Sequence, residues 1–290
     1  MTFTQSVEDG RYTFPLMKSR GSAPVTFLAQ RIADRYAQIR EVEAVALAGS
    51  RTSGLSDERS DIDLYVYASE MIPLNLREEV AADAMRVEIG NSFWEPGDEW
   101  IDGETGISVD VMFRTTPWIE EQLDRVLRRH EASVGYSTCF WYNVRYSQPL
   151  FDRVGWFHAM QERANQPYPE ELRRNIIAKN HPILRSNMSS YAHQIELALK
   201  RHDAISVQHR VTALLASYFD IIFGVNRQPH PGEKRLLQFA TKLCDRLPQH
   251  MEQQINALLS TLPAGDVLGS ANVLLAELDL WLKNEKLLSL

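Results

Sequence analysis

Cysteine is nearly absent from this chain of 290 residues: Cys139 and Cys244 are the two, far apart and in no CxxC pair. That scarcity argues against a disulfide framework and a cysteine zinc site, and for a reducing compartment. The histidines form no HxxxH or HExxH pair, so no imidazole zinc site is expected either. No apolar run approaches the roughly 20 residues that span a bilayer. Residues 1–10 lack a basic stretch followed by an apolar one. Neither a membrane span nor a signal peptide is expected, and the reading is a cytoplasmic protein. Positive charge is in deficit: Lys and Arg number 31 against 38 Asp and Glu, a net charge of -7. Such a chain gains no general attraction to a phosphate backbone, so a stable nucleic-acid partner is not expected. Internal repeats and low-complexity tracts are missing too. What remains is 44% apolar and 24% charged. That is a globular composition, in a chain long enough for two modest domains.

The first 22 residues are polar and without period, and read as an arm. Residues 25–40 have apolar positions at helical spacing. Residues 42–48 form a short apolar run that ends at Gly49-Ser50, which reads as a buried strand meeting a tight turn. Residues 61–67 and 107–113 alternate as strands do, and 86–89 is a further candidate. Helices are expected over 76–85 and 118–130, the latter with Thr116 as N-cap and Pro117 at its first position. Beyond residue 152 the alternation stops. Helical periods follow at 170–180, 182–202, 204–224, 234–246, 249–259 and 271–287, with prolines and Gly232 between them. The expected fold is α+β: an arm over 1–22, a small mixed-sheet domain over 23–152, and an all-helical bundle domain over 153–290.

The chemistry concentrates on Asp61-x-Asp63. On a strand, side chains at i and i+2 share a face, so these two carboxylates stand side by side. Their repulsion is relieved most simply by a cation between them. All-oxygen ligands select magnesium or manganese. Asp110 sits in a like setting, with Ser108 and Met112 on its face and Val109, Val111 and Phe113 on the other. If the two strands are neighbours, three carboxylates converge and can hold two metal ions, one activating an attacking oxygen and one clamping a triphosphate. Gly49 and Ser50 precede the acid pair, where glycine allows close backbone approach to a phosphate, and Arg51 and Ser53 add donors.

The stretch LAGSRTSGLSDERSDIDLYV resembles the signature of the DNA polymerase beta superfamily of nucleotidyltransferases. That signature is an apolar residue, Gly-Gly or Gly-Ser, nine to thirteen residues, then acids at alternate positions. The resemblance covers about the first 150 residues, and the helical remainder is similar to the streptomycin and spectinomycin adenylyltransferases. It implies a mixed-sheet nucleotidyltransferase domain closed by a helical one. It also implies Asp61, Asp63 and Asp110 as metal ligands, two Mg2+ ions, and ATP or another nucleoside triphosphate as co-substrate. Nucleoside monophosphate would pass to a hydroxyl of a small, cationic acceptor, with pyrophosphate released. In such relatives a glutamate between the second and third acids is the general base, a role open to Glu88, although its spacing departs from the pattern and an ordinary strand glutamate reads equally well. A lysine from the helical domain reaches the triphosphate. Lys234 stands where one is wanted, after a Pro/Gly-rich turn, with Lys179 and Arg235 as substitutes and a plain surface lysine as the other reading.

Other features stay open. From 87 to 113 there is no Lys, Arg or His, but there are seven acids with Trp94 and Trp100 among them. A solvated acidic hairpin and a cradle for a basic substrate both fit. Arg174 and His181 are spaced as in HEPN ribonucleases, but Pro182 follows at once and nothing supports the pair. Tyr218 lies in a stripe that reads as bundle core, or as the border of a base. Nucleotide transfer to a protein or RNA, and a nucleotide-binding regulator without turnover, are the alternatives. Oligomeric state is open.

Overall fold

The computed structural model describes residues 23–48, 61–93, 95–262 and 265–288. The expected arm at 1–22 lies outside them. Helix α1 (Ala23–Tyr36) leads into β1 (Val42–Leu47). The chain continues with β2 (Ile62–Ala68), α2 (Leu74–Val80), β3 (Ala84–Asn91), β4 (Gly97–Asp102) and β5 (Ser108–Thr115). Next come α3 (Thr116–Leu127), α4 (Cys139–Tyr146), β6 (Gln148–Asp152) and α5 (Trp156–Ala164). Only helices follow among the described residues: α6 (Glu170–Arg185), α7 (Tyr191–Lys200), α8 (Ala204–Val225), α9 (Leu236–Leu243), α10 (Met251–Thr261) and α11 (Val267–Asn284). The fold is α+β, a mixed sheet followed by a helical region.

The sheet runs β3-β4-β5-β2-β1-β6. The β2–β5 pair is parallel, and the other pairs are antiparallel. Alternation decides its faces. Ile62, Leu64 and Val66 of β2 and Val109, Val111 and Phe113 of β5 turn to one side, where Leu28, Ile32 and Tyr36 of α1 cover them. Tyr65, Tyr67 and Met112 turn to the other side and meet Ile119 and Leu123 of α3, Trp141 of α4 and Phe157 of α5. A third core lies among α6–α11, with Tyr142 of α4 against it and with Ile195, Leu214, Ile222 and Leu278 fully buried. Helix α6 joins the second and third cores: Leu172 and Ile176 belong to one, Ile177 and Leu184 to the other.

Several expectations are corrected. The acidic stretch near 97–102 is not a solvated loop but strand β4, inside the sheet between β3 and β5. Its signal was masked because Asp98 and Asp102 face inward, where apolar residues would mark a strand. Strand β6 was missed because it is short and carries Pro149, which an edge position tolerates. The N-cap of α3 is Thr115, one residue before the expected Thr116. Pro182 does not break its helix: α6 passes through it to Arg185, and Leu184 in that last turn is buried. The break comes afterwards, where the Ser190 side chain caps α7 by accepting from the His193 N–H at 3.4 Å.

Candidate active site

The register of the sheet assembles the acids. Asp63 lies directly opposite Asp110 across the parallel β2–β5 pair. Asp110 lies opposite Glu99 across β5–β4, and Glu99 opposite Glu88 across β4–β3. Carboxylates from four successive strands therefore stand in one row: Asp63, Asp110, Glu99, Glu88. At about 4.8 Å per strand the row is roughly 14 Å long. Asp61 is exposed and immediately precedes β2. Glu99 was not singled out from the sequence. Only the β4–β5 register reveals it, and it stands one strand nearer Asp110 than Glu88 does.

Burial, then the neighbouring charges of Asp63 and Glu99, push the Asp110 carboxyl up to about 6, with a smaller push from Asp61 and an opposing pull from Lys234. Lys234 thus acts on the carboxylate row although it belongs to the turn before α9, some 120 residues downstream in sequence. The fallback Lys179 is an exposed residue of α6, and Arg235 is the left-handed N-cap of α9, φ 56°. Gly49, Ser50, Arg51 and Ser53 lie outside the described residues. The chain enters that segment beside the acids, since the Ala48 N–H donates to the Asp63 carbonyl at 2.9 Å.

Other acids of the 87–113 stretch are paired off. Asp98 is fully buried against Arg77 of α2, whose Nε donates to it at 2.9 Å. Asp102 receives Arg31 and the Thr105 hydroxyl. Glu95 receives Arg114 through Nε at 2.9 Å and Nη2 at 3.0 Å. Trp100 is buried in the core under α1, so it is not available to a ligand. The absence of basic residues in the stretch misled because its cations come from elsewhere in the chain. Glu88 and Glu99 are left exposed on the row. Arg114 shares their face of the sheet further along β5. Its guanidinium is 4.0 Å over the Tyr65 ring. Burial works against its charge, yet Tyr65, Tyr67 and Glu95 hold its pKa well above the ordinary value.

On the helical side, Asp220 of α8 is buried and accepts from the Ser137 N–H at 3.0 Å, the Ser137 hydroxyl at 2.6 Å and the Asn180 amide at 3.1 Å. Burial still pushes it up to about 7. This network ties the α3–α4 connection to α6 and α8. Tyr218 is fully buried in the helical core and borders no open site. His181 is paired with Asp279 at 2.7 Å, while Arg174 extends to solvent near Glu170. That pair has separate occupations.

Among the described residues, no group of three or more His, Cys, Asp or Glu side chains is arranged to hold a metal ion. The donor set still fits magnesium, which is bound through one or two carboxylates completed by water and substrate phosphate more often than by an all-protein cage. Asp63 and Asp110, paired in register on adjacent strands, are the carboxylates that would hold it.

A family described as a domain of unknown function (DUF4037) matches residues 143–236. No curated protein matches the chain. Among solved structures, the chain is similar to a nucleotidyltransferase-like protein from Exiguobacterium sibiricum, at 13% identity and a TM-score of 0.42, covering 90% of this chain and 75% of that one. It is similar to the Thermotoga maritima CCA-adding enzyme complexed with tRNA, at 12% identity and a TM-score of 0.34, covering 92% and 83% of the two chains. A CCA-adding enzyme in complex with ATP follows at 11% identity and a TM-score of 0.33, covering 91% and 82%.

Proposed function

We propose that this protein is a metal-dependent nucleotidyltransferase that passes AMP from ATP to a hydroxyl of a small, cationic acceptor of the aminoglycoside kind. The observation that supports it best is the direct pairing of Asp63 with Asp110 in adjacent parallel strands, with Lys234 of the helical region acting on the same carboxylate. Asp63 and Asp110, with Asp61 beside them, hold Mg2+, which supplies charge neutralisation at the phosphates. Lys234 faces the triphosphate and offsets charge that builds on the leaving pyrophosphate. The acceptor oxygen forms a bond to the α-phosphorus. The bond from that phosphorus to the pyrophosphate oxygen breaks, and its electron pair leaves with pyrophosphate. The acceptor proton passes to a carboxylate of the row. Glu99, nearer Asp110, is better placed for it than Glu88.

A cationic acceptor is favoured by the same row, because Glu99 and Glu88 extend it beyond any metal and remain exposed. The net charge of -7 agrees. The test is magnesium-dependent pyrophosphate release from each nucleoside triphosphate with a panel of aminoglycosides, and separately with total cell protein and RNA. Asp61→Ala plus Asp63→Ala is the control. Release driven by an aminoglycoside and silent in the double variant is expected. Release driven only by protein or RNA moves the acceptor to a macromolecule. Nucleotide binding without release makes the protein a regulator, and no nucleotide binding at all defeats the reading.

A further inference from the structure

The turn that carries Lys234 is built around one buried side chain. His230 is fully buried. Its ring packs edge-on against Tyr136, with centroids 5.0 Å apart, and Phe223, at 4.9 Å. Its backbone N–H donates to the buried Thr138 hydroxyl at 2.8 Å. Its Nδ1 accepts the Gly232 N–H at 3.1 Å. Gly232 has φ 107°, a conformation that side-chain-bearing residues avoid, so the backbone reverses there and delivers Lys234 two residues later. The ring must be neutral for Nδ1 to accept, and burial does hold it so, pushing its pKa down to about 3.

We infer that His230 is a positioning residue: through Nδ1 and its seat on Thr138 it locks the 230–234 turn and so fixes where Lys234, two residues past Gly232, leaves the helical region. This rests on the nucleotidyltransferase reading for its purpose, but not for its geometry. A histidine kept only for packing would be served as well by any ring of that size. The hydrogen bond to Gly232 requires an acceptor at one place, which asparagine Oδ1 reproduces and phenylalanine does not.

The experiment compares His230→Phe, His230→Asn and Thr138→Val with the unaltered full-length protein, each first checked by circular dichroism. Zero-length carbodiimide cross-linking, mapped by mass spectrometry, reads whether Lys234 reaches the acids without any nucleotide, and the Lys200–Glu196 pair at 2.6 Å is the internal control. Calorimetric binding of magnesium-ATP reads its consequence. His230→Phe should cut the Lys234 cross-link and ATP affinity by roughly fivefold or more, Thr138→Val by less, and His230→Asn should keep both within about twofold. Adding His230→Phe to Lys234→Ala should cost no further affinity. Packing alone ranks the variants the other way, because phenylalanine fills the cage and asparagine leaves a void. That reversed order, an undiminished cross-link in His230→Phe, or no Lys234 cross-link in the unaltered protein overturns the inference. The expected cross-linking with no ATP bound by the unaltered protein leaves the positioning intact and defeats the nucleotide reading alone.

Discussion

At the scale of single residues, the carboxylates divide into those paired within the fold and those left exposed on the row. Asp98 is paired with Arg77 and Glu95 with Arg114, whereas Glu99 and Glu88 are exposed one and two strands from Asp110. Proton acceptance by the nearer of the two gives a measurable order. Glu99→Gln should lower kcat by roughly 10²–10³ and Glu88→Gln by less than about tenfold, checked by steady-state pyrophosphate release. Equal losses would reject the assignment. Asp220 gives a second residue-scale outcome. Its folded pKa, about 7, is raised above an unfolded value near 4. A carboxylate raised on folding favours the folded state while protonated, so this contribution is present below about pH 4, is lost as pH rises, and is gone above about pH 7. At about 1.4 kcal/mol per pKa unit, the loss is on the order of 4 kcal/mol. Asp220→Asn should flatten that part of the stability profile between pH 4 and 8, measured by urea unfolding. That Asp63 and Asp110 lie on strands was legible in the sequence because alternate spacing on a strand is a local property. Glu99 was not, because its partner is chosen by strand register, and His230 was not, because a lone histidine carries no signal until its cage is built.

At the scale of elements, periodicity succeeded where a segment buries one face against one neighbour. Helix α1 and strands β1, β2 and β5 fall near their expected positions for that reason. Strand β4 escaped because its inward residues are charged and paired, and α6 was cut short in the reading because a proline near a helix C-terminus looks like a stop. The α6–α8 crossing offers an element-scale test. A Cβ added at Gly224 of α8 would come 3.2 Å from Cγ2 of Ile176 on α6. Alanine in a helix interior is worth about 1 kcal/mol over glycine. Ile176 is fully buried, so its withdrawal would have to move its own neighbours, and overpacking of this kind costs roughly 1–3 kcal/mol. Gly224→Ala should therefore lower stability by about 1 kcal/mol net, a drop of a few degrees in Tm by calorimetry. A gain in Tm would mean the crossing is looser than its geometry.

At the scale of the whole molecule, the acids come from the sheet and the cation from a turn of the helical region, so a bound nucleotide should lock the two together. Magnesium-ATP at about 100 times its Kd should add close to 3 kcal/mol of stability. Thermal unfolding should show that rise, Lys234→Ala should reduce it, and the same variant should leave the unliganded Tm within about a degree because Lys234 is exposed. No helix among the described residues is long and apolar enough to cross a membrane. The sequence by itself determined the change from alternation to helical period near residue 152 and the strand positions of Asp63 and Asp110. Each follows from composition or from spacing within one element. Only the tertiary structure decided that β2 and β5 are parallel neighbours in register, that Arg77, Arg31 and Arg114 neutralise the intervening acids, and that Lys234 acts on Asp110. Those are relations between segments far apart in the chain, and they are set by which faces find burial together, a choice that no local pattern contains.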